Sequence, residues 1–271
     1  SGSKLSQTLL TQRVLSFVNL ASFQNPNGDL TIYGGTFNTG AAGTLSITAT
    51  GNVSINPGSS QGNPFTGIDT LGTFAVNAGG NFSSPITHVS VADSFSGGFI
   101  NVNAGNWIYN GNTPLVGPIA LNANGINTPG NGGGTVLLNL TAANQGVTVG
   151  GGVGNFAISA TGANGGQAII TAAGNLTVNT AFLNINGTDP NGSGSNAFLA
   201  SGNNLLIKGN LDTHFGNGAY GDIVLTSGAS QAFLVDGTKT NTLNGQIGIG
   251  NGQGLSGRNV TIDSAGGVSL A

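Results

Sequence analysis

The sequence predicts an all-β chain wound as a parallel β-helix, a three-faced solenoid of about eight to nine coils, and three observations carry that expectation. Apolar and small polar residues alternate with a period of two in short runs, as in Leu45-Ser46-Ile47 and Leu176-Thr177-Val178. Gly-Asn and similar pairs punctuate those runs, and the chain carries 50 glycines in 271 residues. One phrase then recurs: a glycine, an alternating strand, a Gly-Asn pair and a second alternating strand. It runs from Gly43 to Ile55 and again from Gly166 to Val178.

Composition narrows the function before any motif is sought. Hydrophobic residues make up 38% of the chain, enough for a core, so the glycine and asparagine content does not by itself imply disorder. Charged residues make up only 5%, with five Lys and Arg, eight Asp and no Glu. A net charge of −3 spread over isolated aspartates gives no basic stripe, which speaks against nucleic acid and anionic membrane as partners. No apolar run reaches the ~20 residues that a membrane-spanning helix needs. The absence of cysteine fits either a reducing compartment or an exported chain, and the Ser, Thr, Asn and Gly surface favours export to the cell exterior.

Taken in order, Ser1-Gly2-Ser3 reads as a remnant of expression and is set aside. Residues 4–40 form an N-terminal cap and first coil. Leu5, Leu9 and Leu10 have helical spacing with Ser3 or Ser6 as N-cap, so a short helix over 4–11 is expected to cover the open end, followed by a strand from Arg13 to Leu20. Residues 41–271 hold the repeats, with starts at Gly43, Gly72, Gly98, Gly134, Gly166, Asn196, Gly221 and Gly245. Third strands are expected at Phe156 to Ser159, Phe182 to Ile185 and His88 to Val91.

Alternation assigns an inward row: Leu45 and Ile47, Phe74 and Val76, Ile100 and Val102, Val136 and Leu138, Ala168 and Ile170, Phe198 and Ala200, Ile223 and Leu225, Ile247 and Ile249. Ser46, Ala75, Asn101, Leu137, Ile169, Leu199, Val224 and Gly248 then face outward. Leu137, Ile169, Leu199 and Val224 form an apolar ladder on that outer side. Asn52, Asn81, Asn106, Asn175, Asn204 and Asn259 each stand before a second strand and are expected to stack amide on amide at one corner. At the C-terminus, Gly266 to Ala271 stops in mid-strand, which suggests an excerpt of a longer solenoid or a face that stacks on another copy.

The phrase Ala172-Ala-Gly-Asn-Leu-Thr-Val178, with relatives at 49–55, 78–82 and 104–109, resembles filamentous-haemagglutinin-type exoproteins of bacteria. The Asn25-Pro-Asn-Gly28 segment is similar to a motif of the secretion domain of those proteins, with Asp29 where the family usually has an apolar residue. That resemblance implies a right-handed parallel β-helix, exported to the cell surface and often secreted by a two-partner route. The roles it implies are adhesion, biofilm formation or contact between cells.

Parallel β-helices also host pectate-lyase-like enzymes, so catalytic chemistry is a rival reading. Such chemistry needs converging carboxylates, or a calcium site with a base beside it. One local group qualifies as a ligand patch: Asp212, His214, Tyr220, Asp222 and Asp236, with Lys208 and Lys239 nearby in sequence. Turn residues on a sparsely charged rod explain it more simply. Gly216-to-Asp222 lacks the tandem spacing of a calcium roll, Gly150-to-Gly154 has no following lysine for a phosphate loop, and the Thr48/Thr50 pair of an ice-ordering face is broken by Asn77 and Asn103. The expectation is therefore a secreted or cell-surface structural or adhesive solenoid. No catalytic residue, metal site or cofactor is expected. Its partners would be further copies or coils, or glycans and proteins of a cell surface. A self-assembling fibre or surface layer is the nearest alternative, and a carbohydrate-active enzyme the next.

Overall fold

Short alternating runs joined by returns of two dozen residues or more suit parallel pairing, since a parallel neighbour needs a long crossover. A computed structural model describes residues 7–10, 15–17, 20–33, 37–56, 67–91, 96–111, 114–142, 145–213, 221–228, 246–249, 255–256, 259–264 and 267–270. Among these the chain is all-β, every inter-strand pairing is parallel, and helix is confined to a single 3-10 turn at Thr180–Phe182.

The strands fall into three rows. The first row has the longest ladder. It starts at Leu20–Asn25 and passes through the later halves of Phe37–Ala49 and Gly67–Ala78. It continues through Phe99–Ala104, Thr135–Leu140, Gln167–Ala172, Asn196–Ser201 and Asp222–Ser227 to Asn259–Ser264. Its register aligns Leu45, Phe74, Ile100, Val136, Ala168, Ala197, Ile223 and Val260 across successive strands. The chain returns to this row after 29, 26, 36, 32, 29, 26 and 37 residues, the differences of those paired positions. Strand phase is thus kept while the connections take up the variation in length.

A second row runs from Gln7–Leu10 through Leu30–Tyr33, Val53–Asn56 and Phe82–Ser84 to Trp107–Tyr109. It resumes at Val147–Val149 and continues through Leu176–Asn179, Leu205–Lys208 and Gln246–Ile249 to Gly267–Leu270. Near the break, aromatic rings fill the interior. Phe74 and Phe82 lie 6.5 Å apart by ring centroids, Phe82 and Trp107 5.0 Å, and Trp107 and Phe156 5.4 Å. The buried Trp107 Nε1–H donates to Ser84 Oγ at 3.0 Å, which satisfies the one polar atom of that side chain. The third row contains His88–Ser90, Ile119–Asn122, Phe156–Ser159 and Leu183–Asn184. A short pair, Leu211–Asp212 with Leu255–Ser256, lies apart from these ladders.

Burial follows the alternation. Leu45, Ile47, Phe74, Ile100, Val102, Val136, Leu138, Ala168, Ile170, Ile223 and Leu225 are fully buried, Val76 nearly so, and they form one continuous core with Ile32, Val53, Phe82 and Val89 from the other rows. Parallel pairing of successive strands supplies both the apolar interior and the backbone partners that one strand cannot provide for itself.

Four expectations need correction. First, Gln7–Leu10 is a strand paired with Leu30–Tyr33, where a helix over 4–11 was expected; residues 1–6 and 11 lie outside the described residues. An eight-residue helix is marginal in isolation, whereas an open parallel edge offers a ladder of backbone partners. The expected strand from Arg13 to Leu20 is present at Leu15–Phe17, with Leu20 opening the next strand.

Second, Asn196–Ser201 is shifted by one position from the assignment made by alternation. Ala197 and Leu199 are the fully buried inward pair, and Phe198 is half-buried on the outer side. The segment Ala197-Phe-Leu-Ala200 is apolar throughout, so it carries no phase of its own, and pairing with Gln167–Ala172 decides it. Third, the strand that follows Gly245 is not the last strand of the first row. Gln246–Ile249 belongs to the second row, and the first-row partner of Asp222–Ser227 is Asn259–Ser264. Both rows begin with a glycine and an alternating run, so period alone cannot separate them. Fourth, and as a consequence, Asn259 opens a first-row strand opposite Asp222 and does not stand at the corner shared by the other asparagines.

Candidate functional site

Two of the five residues of the ligand patch fall within the described chain. Asp212 ends the strand Leu211–Asp212 and is exposed, while Asp222 opens Asp222–Ser227 and is half-buried. The buried Thr213 joins them: its carbonyl accepts from Gly221 N–H at 3.3 Å, and its hydroxyl donates to Gly221 O at 2.9 Å. Asp222 N–H in turn donates to Asn196 Oδ1 at 2.8 Å. Asp212 and Asp222 thus flank a tight junction of the coil. His214, Tyr220 and Asp236, like Lys239, lie outside the described residues. Among the described residues no three of His, Cys, Asp and Glu gather as metal ligands would.

His88 opens a third-row strand, as the sequence suggested, and its Nε2 lies 3.9 Å from Asp69 Oδ2. Both side chains are well exposed, at 44% and 65%, so this pair is solvated and contributes little.

Asparagine is organised in two ways. Before the second-row strands, side-chain oxygens accept from backbone 23 to 29 residues further along the chain. Asn52 N–H donates to Asp29 Oδ1 at 2.7 Å, Asn81 N–H to Asn52 Oδ1 at 2.8 Å, and Asn204 N–H to Asn175 Oδ1 at 3.1 Å. Asn106 contributes its carbonyl, which accepts from Phe82 N–H at 2.8 Å. The contacts between these asparagines are therefore amide to backbone, on exposed or half-buried residues, and Asp29 takes the place of an asparagine in the first of them, its Oδ1 also accepting from Asn52 Nδ2 at 3.2 Å.

The second arrangement, which sequence reasoning missed, is a ladder of side-chain amides on the outer side of the first row. Asn103 Nδ2 donates to Asn77 Oδ1 at 3.0 Å, and Asn139 Nδ2 donates to Asn103 Oδ1 at 2.9 Å. The same column places Gln24 opposite Thr48 and Thr48 opposite Asn77. The sequence carried a signal for it, because Val76-Asn77-Ala78 and Val102-Asn103-Ala104 repeat in phase. In a reading by threonine rows alone, these asparagines count only as interruptions.

Beside this column lies a shallow groove lined by Gln24, Asn25, Pro26, Thr48, Ala49, Thr50, Asn77 and Gly79. Its wall carries no charged side chain and presents more apolar than polar surface. Comparison with protein-family models, with curated proteins and with solved structures finds no match. The next column on the outer side changes character along the row, from Ser22, Ser46, Ala75 and Asn101 to Leu137, Ile169, Phe198 and Val224. Leu137, Ile169 and Phe198 are half-buried, and Val224 is 8% exposed, so the stripe is more shielded than an open apolar ladder. Nothing in this arrangement supplies converging acid and base. What the first row presents is a regular outer surface without a charged residue before Asp222.

Proposed function

We propose that this chain is a non-catalytic structural or adhesive solenoid of a cell exterior, its three rows of strands closing into a right-handed three-faced parallel β-helix of the filamentous-haemagglutinin type. The observation that carries the reading is the long parallel first row, in register from Leu20–Asn25 to Asn259–Ser264, whose outer columns hold no charged residue before Asp222. Sparse charge supports it further. From Ser94 to Thr188 the sequence has no Asp, Lys, Arg or His at all, which leaves Tyr109 as the one side chain there with an ordinary titratable proton. Handedness and export rest on the resemblance of the Gly-Asn repeats and of Asn25-Pro-Asn-Gly28. No helix among the described residues is long and apolar enough to cross a membrane.

In this role the first row acts as a stiff spacer that displays its outer columns to a cell-surface glycan or protein, or to further coils. The test is display and binding. The chain is coated on beads and offered to cells and to immobilised glycans, with pectin and alginate digests run in parallel. Retention of beads without any release of sugar ends supports the proposal. Release of unsaturated or reducing ends, abolished by Asp222→Ala, overturns it in favour of a carbohydrate-active enzyme.

A further inference from the structure

Seven Asn-Gly pairs lie within the described residues: Asn27-Gly28, Asn110-Gly111, Asn124-Gly125, Asn131-Gly132, Asn164-Gly165, Asn186-Gly187 and Asn191-Gly192. This dipeptide is the one in which a following backbone nitrogen, unhindered by a side chain, best attacks the asparagine amide carbon. The fold treats the seven very differently.

Six are held. Asn124 Oδ1 accepts from Ser159 Oγ at 2.8 Å and Thr161 N–H at 2.7 Å, while Gly125 N–H is bound to Thr161 O at 2.7 Å. Asn164 Oδ1 accepts from Ser193 N–H at 2.8 Å, and Gly165 N–H is bound to Ser193 O at 2.9 Å. Gly192 N–H is bound to Asp189 O at 2.9 Å. Asn110 Nδ2 donates to Ile55 O and Asn56 Oδ1, each at 3.1 Å. Asn131-Gly132 and Asn186-Gly187 are fixed by parallel bridges, Gly132 to Asn164 and Gly162 to Gly187. At the first four the attacking nitrogen or the amide under attack must first be released; at Asn131 and Asn186 the hold is on the backbone alone, and both are half-buried where Asn27 is exposed.

Asn27 differs. The turn around it is pinned on both sides: Asn25 Nδ2 donates to Asp29 O at 2.6 Å, Asn25 Oδ1 accepts from Asn27 N–H at 3.1 Å, and Gly28 O accepts from Gly51 N–H at 2.9 Å. At its apex Asn27 is exposed, and its side chain makes no hydrogen bond among the described residues. We infer that Asn27 is a site of spontaneous deamidation, preferred over the other described Asn-Gly pairs in the folded chain.

The chemistry needs only water. Gly28 N loses its proton and bonds to Asn27 Cγ, ammonia leaves with the side-chain nitrogen, and the cyclic imide forms. Water then opens either carbonyl of the imide, giving aspartate or isoaspartate. The product places a new carboxylate two residues from Asp29, whose Oδ1 receives both Asn52 N–H at 2.7 Å and Asn52 Nδ2 at 3.2 Å. Isoaspartate also adds a backbone carbon to the pinned turn. The site is therefore a slow, one-way charge change at one end of the corner contacts.

A retaining hydrogen bond of ordinary net strength slows the attack roughly tenfold. The full chain is aged at mildly alkaline pH, folded and in parallel in denaturing urea, and peptide mass spectrometry follows the amide-to-acid mass gain at each Asn-Gly pair. Expected is a rate at Asn27 roughly tenfold above that of any of the other six in the folded chain, with the seven rates converging in urea. Asn27→Gln removes the fast component. Equal rates at Asn27 and the six held pairs in the folded chain, or a leading rate at one of the six, overturn the inference.

Discussion

Asn103 gives an amide hydrogen to Asn77 Oδ1 at 3.0 Å and accepts one from Asn139 Nδ2 at 2.9 Å, so a single side chain ties three successive strands of the first row together. Removing it breaks both links. Asn103→Ala is expected to lower stability by about 1–2 kcal/mol, read as a lower urea midpoint at unchanged slope. Two residues earlier, Asn101 shares the outer side but has a buried Oδ1 without a hydrogen-bond partner, between Ala75 and Leu137. Asn101→Leu extends the apolar stripe and relieves that atom, and a gain of about 0.5–1 kcal/mol is expected in the same titration. A shift of the same sign in both variants would refute this account of the outer columns.

Ile169 and Ile170 are neighbours that face opposite sides. Ile170 is fully buried, whereas Ile169 is half-buried in line with Leu137 and Phe198. Ile170→Ser is expected to cost about 3–5 kcal/mol, because it leaves a cavity and buries a hydroxyl. Ile169→Ser is expected to cost about 1 kcal/mol. Equal losses in chemical denaturation would mean that the first row is wrongly phased.

Glycines give a second paired test. A Cβ on Gly98 would collide with the carbonyl oxygens of Val91 and Gly72, both of them backbone, so neither can swing aside. Gly98→Ala is expected to destabilise by about 3 kcal/mol or more, or to yield insoluble chain. A Cβ on Gly117 meets nothing within 4 Å. Gly117→Ala is expected to leave the thermal midpoint unchanged or raise it, by up to about 1 kcal/mol of stability.

The chain has one tryptophan, and Trp107 is 8% exposed, with its ring packed between Phe82 and Phe156. Its fluorescence is therefore expected to be blue-shifted and shielded from acrylamide in the folded state. Phe82→Ala opens a cavity beside it, and a loss of about 3–5 kcal/mol is expected together with greater quenching. Native emission at the wavelength of free tryptophan would contradict this packing.

Much of the fold was legible because strand period is a local property. Leu45 and Ile47, Val136 and Leu138, and Ile223 and Leu225 alternate with polar or lone apolar neighbours, and each pair is buried where alternation placed it. Legibility ended where the local pattern lost its phase or its identity. The apolar run Ala197-Phe-Leu-Ala200 reads equally well in either phase, and the strand after Gly245 has the same pattern as a first-row strand. The Leu9-Leu10 spacing fits a helix as well as a strand edge. Of the ligand patch, the sequence supplied neighbours in number, and the structure places Asp212 and Asp222 on either side of Thr213 and Gly221.

The sequence by itself determined that the chain is β, that its interior is lined by every second residue of repeated strands, and that its surface is almost free of charge. These follow from side-chain chemistry and from a period of two, which each segment carries within itself. Only the tertiary structure decided which strand stands beside which. That choice belongs to backbone hydrogen bonds between residues some thirty positions apart, and it put Phe198 outward, Gln246–Ile249 in the second row, and Asn77, Asn103 and Asn139 in one line.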